Sequence, residues 1–133
     1  MVTDTEDGLA ALRSEIAAFR AGFGHPDLLL STFRAAAVLV PLTAEDRLYT
    51  SRYAGIAWIC VFTAVRPLAA YLNARGTTPG AEHHFHTLRG HRLTDYATAQ
   101  PDPTGIVIDP GGDTPLALPP RITDADGNTV GVL

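Results

Sequence analysis

Histidines crowd one short stretch of this chain. His83, His84 and His86 follow Glu82, and His91 and Asp95 come soon after. Imidazole and carboxylate are the ligand types that hold zinc. Along an extended strand His84 and His86 point to one face while His83 points to the other. Two imidazoles on one face, with Asp95 added from the next helix, would be three ligands of a metal-dependent enzyme. Nothing in the spacing fixes a third and a fourth position, and a closed site needs both. The expectation is therefore a solvated loop running into an edge strand, with no metal and no other cofactor.

The remaining reactive groups are weaker candidates. Cys60 lies in Trp58-Ile59-Cys60-Val61-Phe62, where burial raises a thiol's pKa and denies it a route to substrate. Ser14, Ser31 and Ser51 are the serines, and none sits in a Gly-x-Ser-x-Gly elbow. Asp124-Ala125-Asp126-Gly127-Asn128 opens like a calcium loop, but Thr129 stands where that loop requires glycine. Asp109-Pro110-Gly111-Gly112-Asp113 is turn chemistry without the glycine pattern of a phosphate cradle. Tyr49, Arg52 and Tyr53 do no chemistry, yet Tyr and Arg are the residue types that dominate interface hot spots. They are the candidate contact surface, the alternative being ordinary residues of an edge strand.

Composition narrows the function classes. The 133 residues contain 46% apolar and 18% charged side chains, enough for a single domain, 1–133, with a real core. Every one of the 10 basic residues is Arg. Without lysine there is no Schiff base, no P-loop phosphate contact and no Ser–Lys dyad. The net charge of −4, from 14 acidic residues, comes without a basic cluster, so neither nucleic acid nor an anionic membrane is an expected partner. A single cysteine, an acidic start and no apolar run near the ~20 residues of a membrane span point to a cytoplasmic protein.

The elements that must position these residues follow from apolar periodicity. Leu9, Leu12, Ile16, Phe19 and Phe23 mark a first helix that Gly22 and Gly24 end, and Pro26-Asp27 opens a second through Phe33. Ala37–Leu42, Arg47–Tyr53 and Ile56–Phe62 read as three strands with short connections, an antiparallel meander. The last is apolar throughout and is expected to be buried on both faces, Trp58 included. A third helix spans Pro67 to a closing Gly76, Phe85–Leu88 is a short strand, and Gly90–Thr98 is a fourth helix. Gly105–Asp109 is a further strand, Pro115–Pro120 reads as irregular, and a weak hairpin turns at Asp126-Gly127-Asn128. The fold class is α+β, a mixed sheet with helices packed mainly on one face.

In that order the pieces resemble the N-terminal domain of the SseB family, the bacterial "enhanced serine sensitivity" proteins. The resemblance rests on Val38-Leu39-Val40-Pro41-Leu42, on Val61-Phe62-Thr63 before the helix with Leu68, on Gly90 with Leu93, and on Gly105-Ile106-Val107-Ile108-Asp109-Pro110-Gly111. It implies an α+β domain in the bacterial cytoplasm, and it supplies no catalytic residues. No counterpart of the family's second domain is expected here. With no assembled catalytic constellation, the expected function is a non-catalytic accessory module that binds a protein partner or another copy of itself. A metal-dependent enzyme using His83, His84 and His86, and a small-ligand-binding domain with its site between sheet and helices, are the alternatives.

Overall fold

A computed structural model describes residues 4–43, 45, 47–75, 84–120, 122–123 and 129–130. It shows an α+β fold. The helices are α1 (Asp4–Arg20), α2 (Pro26–Ala35), α3 (Val65–Ala74) and α4 (Gly90–Ala99). The strands are β1 (Ala37–Pro41), β2 (Thr50–Tyr53), β3 (Ile56–Val61), β4 (Phe85–Arg89), β5 (Thr104–Ile108), β6 (Leu116–Leu118), β7 (Ile122–Thr123) and β8 (Thr129–Val130).

The central sheet runs β2-β3-β5-β6 and is mixed. β2 and β3 form an antiparallel hairpin, β3 and β5 lie parallel, and β6 returns antiparallel to β5. The first link of the expected meander is thinner than periodicity suggested. β1 makes its ladder with β4 and meets the hairpin only through single bridges, Leu39 to Phe62 and Leu42 to Leu48. Pro41 ends β1, as a residue that cannot donate should. The β2–β3 turn is the two residues Ala54-Gly55, both with positive φ, at 55° and 80°. Two positive φ values are what a type I′ hairpin turn requires, and Ala54 adopts one without glycine's freedom.

Side-chain alternation then divides the apolar residues between two cores. Ile59 and Val61 of β3, with Ile106 and Ile108 of β5 and Leu116 and Leu118 of β6, face α1, α2 and α4. Those helices contribute Leu12 and Ile16, Leu29 and Phe33, and Leu93. On the other face Cys60 and Phe62 pack beneath α3 through Leu68 and Leu72. Three helices on one side and one on the other match the expected layering.

At two glycines an added side chain would force its neighbours to shift. Gly90 starts α4 against α2, where an added Cβ would fall 2.0 Å from the Phe33 carbonyl oxygen. Gly105 carries the Trp58 ring, and a Cβ there would lie 2.5 Å from it.

Three local expectations give way. α1 ends at Arg20, so Phe23 lies beyond the helix and is 82% exposed; the Gly22 backbone at φ 88° turns the chain away before a further turn can form. Pro115–Pro120 is not irregular, because Leu116–Leu118 forms β6. Its Leu-Ala-Leu alternation is only three residues long, too short to show a period, and β5 supplies the ladder. Trp58 is half-buried rather than enclosed, because α3 covers Cys60 and Phe62 but stops short of it. The Asp126-Gly127-Asn128 turn, Gly76, Glu82 and His83 lie outside the described residues, although β7 and β8 do pair antiparallel on either side of that turn.

Candidate functional site: the open face of the sheet

The uncovered part of the second face is the place where the chain brings unlike side chains together. Ser51 of β2 pairs directly with Trp58 of β3, and Tyr53 follows two residues on, so all three share that face. From the helix side α3 contributes Tyr71, and Arg75 lies just past its end. These residues, with Cys60 as floor and the turn Pro110-Gly111 as a wall, line a cleft of about 380 Å3.

Its polar groups form one chain of contacts. The Arg75 guanidinium donates to the Tyr71 hydroxyl at 2.6 Å and to Ser51 Oγ at 3.5 Å, and it lies 4.9 Å from the Tyr71 ring centre. Tyr71 is held from behind by Phe62, 5.5 Å between ring centres, and by Tyr49, edge-on at 6.2 Å. Cys60 Sγ lies 3.8 Å from the Tyr71 hydroxyl. Burial pushes the Tyr71 hydroxyl up to about 12, and the neighbouring thiol adds to the rise while Arg75 opposes it. Burial also raises the Cys60 thiol, against smaller opposing effects from the Tyr71 hydroxyl and Arg75. Both groups are thus held neutral near pH 7. They can accept and donate hydrogen bonds, but a neutral, fully buried thiol is a poor nucleophile.

One wall is fixed by a carboxylate clamp. Asp109 accepts from the Thr63 backbone N–H at 2.9 Å and from its hydroxyl at 2.8 Å, and Arg13 of α1 donates to the Thr63 carbonyl at 3.2 Å. Asp109 has φ 50°, a left-handed conformation that Asp tolerates better than most residues. It opens the turn to Gly112, whose N–H bonds back to the Asp109 carbonyl at 3.1 Å, with Gly111 at φ 80°. Proline second and glycine third suit a type II turn. The clamp therefore ties the end of β5 to the start of α3.

The structure separates the residues that sequence grouped. Of the expected contact residues, Tyr53 is 76% exposed, and Arg52 points to the opposite face, where it lies 3.9 Å from Asp102. Tyr49 instead packs into the second core. His84 and His86 are exposed at the start of β4, while Asp95 faces Arg34 across α2 and α4 at 3.6 Å. Among the described residues no group of three His, Cys, Asp or Glu side chains could hold a metal ion. Trp58, Tyr71 and Arg75 were missed as a set. Sequence placed each on its element, but only the crossing of α3 over the β2–β3 hairpin brings them together.

A larger groove of about 580 Å3 lies on the first face between α2, α4, β5 and β6. Its cation is already engaged, since Arg34 contacts both Asp95 and the Thr94 hydroxyl.

Two strands from one hairpin, a parallel neighbour and helices on both faces define a small α+β domain, one sheet face of which the described residues cover only in part. A family model described as the SseB protein N-terminal domain matches residues 12–122, and the chain belongs to the SseB family. A search of curated proteins and a search of solved structures each returned no match. Among the described residues no helix is long and apolar enough to cross a membrane.

The family match joins pieces that are far apart in sequence. Val61-Phe62-Thr63 and Asp109-Pro110-Gly111 meet in the carboxylate clamp, Gly90 meets α2, and Gly105 meets Trp58.

Proposed function

We propose that this domain is a non-catalytic interaction module of bacterial cytoplasm that binds a protein partner through the open face of its sheet. The observation that carries the reading is the half-buried Trp58 beside the 76%-exposed Tyr53, on a sheet face that α3 leaves partly uncovered. Aromatic rings of this kind supply large contact area at small entropic cost. The neutral Tyr71 and Cys60 support binding over catalysis, because neither is poised to exchange a proton or attack a substrate near pH 7.

The test is a native isolation of the domain with its bound proteins, repeated with Tyr53→Asp. A partner held at fixed stoichiometry by the wild type, and lost from a variant that melts at the same temperature, is the expected outcome. Equal retention by both forms would place the contact elsewhere.

A further inference from the structure

The open face adjoins an open edge, and the two together define what kind of segment fits. Among the described residues β2 pairs with β3 alone, so its other side is the edge of the central sheet. Within β3, Cys60 donates to the Tyr49 carbonyl at 3.3 Å while Ala57 donates away from β2, to the Pro103 carbonyl at 3.1 Å. Backbone groups alternate sides along a strand, so the N–H of Trp58 also faces β2. By the same alternation Ser51 and Tyr53 bond inward, and the N–H and C=O groups of Thr50 and Arg52 point outward. Those outward groups are a template for one more strand.

A strand added antiparallel there would bond to Thr50 and Arg52. Ser51 would then stand opposite a non-hydrogen-bonded position, where facing side chains come closest, about 4.5–5.5 Å between Cβ atoms. The Arg75 guanidinium already reaches Ser51 Oγ. A side chain opposite Ser51 therefore meets a cation, and one two residues along meets Tyr53. Charge over the surrounding segment has a single sign. Residues 47–75 contain four Arg and no Asp or Glu, in a chain whose net charge is −4. No carboxylate lines the cleft among the described residues.

The geometry points to β-strand addition: the partner presents an extended acidic segment that joins the β2 edge, with a carboxylate side chain beside Ser51 and Arg75 and an apolar side chain, two residues away, beside Tyr53. This rests on the interaction reading above and names the partner's chemistry. Main-chain bonds to Thr50 and Arg52 supply affinity, and Arg75 and Tyr53 supply register.

Trp58 is the single tryptophan of the chain and pairs with Ser51, so its fluorescence reports on this edge. The probe is an acetylated, amidated octapeptide in which glutamate alternates with valine and phenylalanine, compared with the same peptide carrying lysine for glutamate. The expected result is a saturable change in Trp58 emission with the acidic peptide, weakened by added salt and absent with the lysine peptide. Arg75→Gln should weaken binding about tenfold, the loss of one charged hydrogen bond. Arg52→Pro removes an outward N–H and no ladder bond, so it should abolish binding while the hairpin stays folded. Arg52→Ala, which keeps the N–H and loses only one of the four charges, should still bind saturably. Equal response to the two peptides, no response to the acidic one, or full binding by a folded Arg52→Pro would overturn the proposal. If the natural partner is still lost from Tyr53→Asp under those outcomes, the face binds protein by another mode. If that partner is retained as well, the interaction reading itself fails.

Discussion

Replacing Asp109 tests the clamp that joins β5 to α3. The carboxylate accepts two hydrogen bonds from Thr63, which is only 4% exposed, so water cannot readily replace the lost acceptor. A hydrogen bond to a charged group contributes roughly 1.5–3 kcal/mol. Two bonds to one carboxylate are coupled, which puts the pair at about 3 kcal/mol rather than twice the single value. Alanine adds a second cost, because φ 50° is unfavourable for it by roughly 1 kcal/mol. Asp109→Ala should therefore lose about 4 kcal/mol and Asp109→Gly about 3, since glycine relieves the backbone but not the clamp. Asp109→Asn keeps one acceptor and a residue suited to this conformation, and should lose about 1 kcal/mol. At about 4 °C per kcal/mol for a chain of this size, the alanine variant should melt some 15 °C below the wild type. Urea denaturation with far-ultraviolet dichroism gives the free energies directly. If the alanine and glycine variants both fall within about 0.5 kcal/mol of wild type, the clamp contributes nothing and the reasoning fails.

Tyr71 should ionise near pH 12 in a phenolate absorbance titration compared with that of Tyr71→Phe. A hydroxyl whose pKa is raised on folding favours the fold fully below its unfolded value near 10, and this contribution is lost between pH 10 and about 12. Arg75→Gln should move the titration still higher, and an unchanged curve would remove Arg75 from the cleft. Gly105→Ala forces a methyl group against the Trp58 ring and should cost about 1–3 kcal/mol, with a red-shifted Trp58 emission as the ring is displaced. Ala54→Gly relieves a positive φ in the β2–β3 turn and should raise stability by up to about 1 kcal/mol in thermal unfolding, whereas a loss would show that the turn is not strained.

Local sequence determined the elements. Apolar residues at helical spacing set α1 and α2, Pro and Gly bounded them, and the β-branched run through Val61 set a central strand, because those signals act within a few residues. The family was legible for the same reason, since its pieces are strand ends and turns. Lys-free composition and the acid-free stretch 47–75 were equally open to view.

Pairing was decided by tertiary structure alone. That β1 makes its ladder with β4, that β3 lies parallel to β5, and that Leu-Ala-Leu becomes a strand all depend on backbone partners distant in sequence. Trp58 was misjudged on that account: an apolar run states that a strand avoids water, but how far a helix covers it depends on where α3 crosses. The same crossing sets Arg75 against Tyr71 and Ser51, and the β5 turn sets Asp109 against Thr63, 46 residues away. Spacing along the chain carries no record of such contacts, because they join residues on different elements whose relative placement is set by packing on the two faces of the sheet.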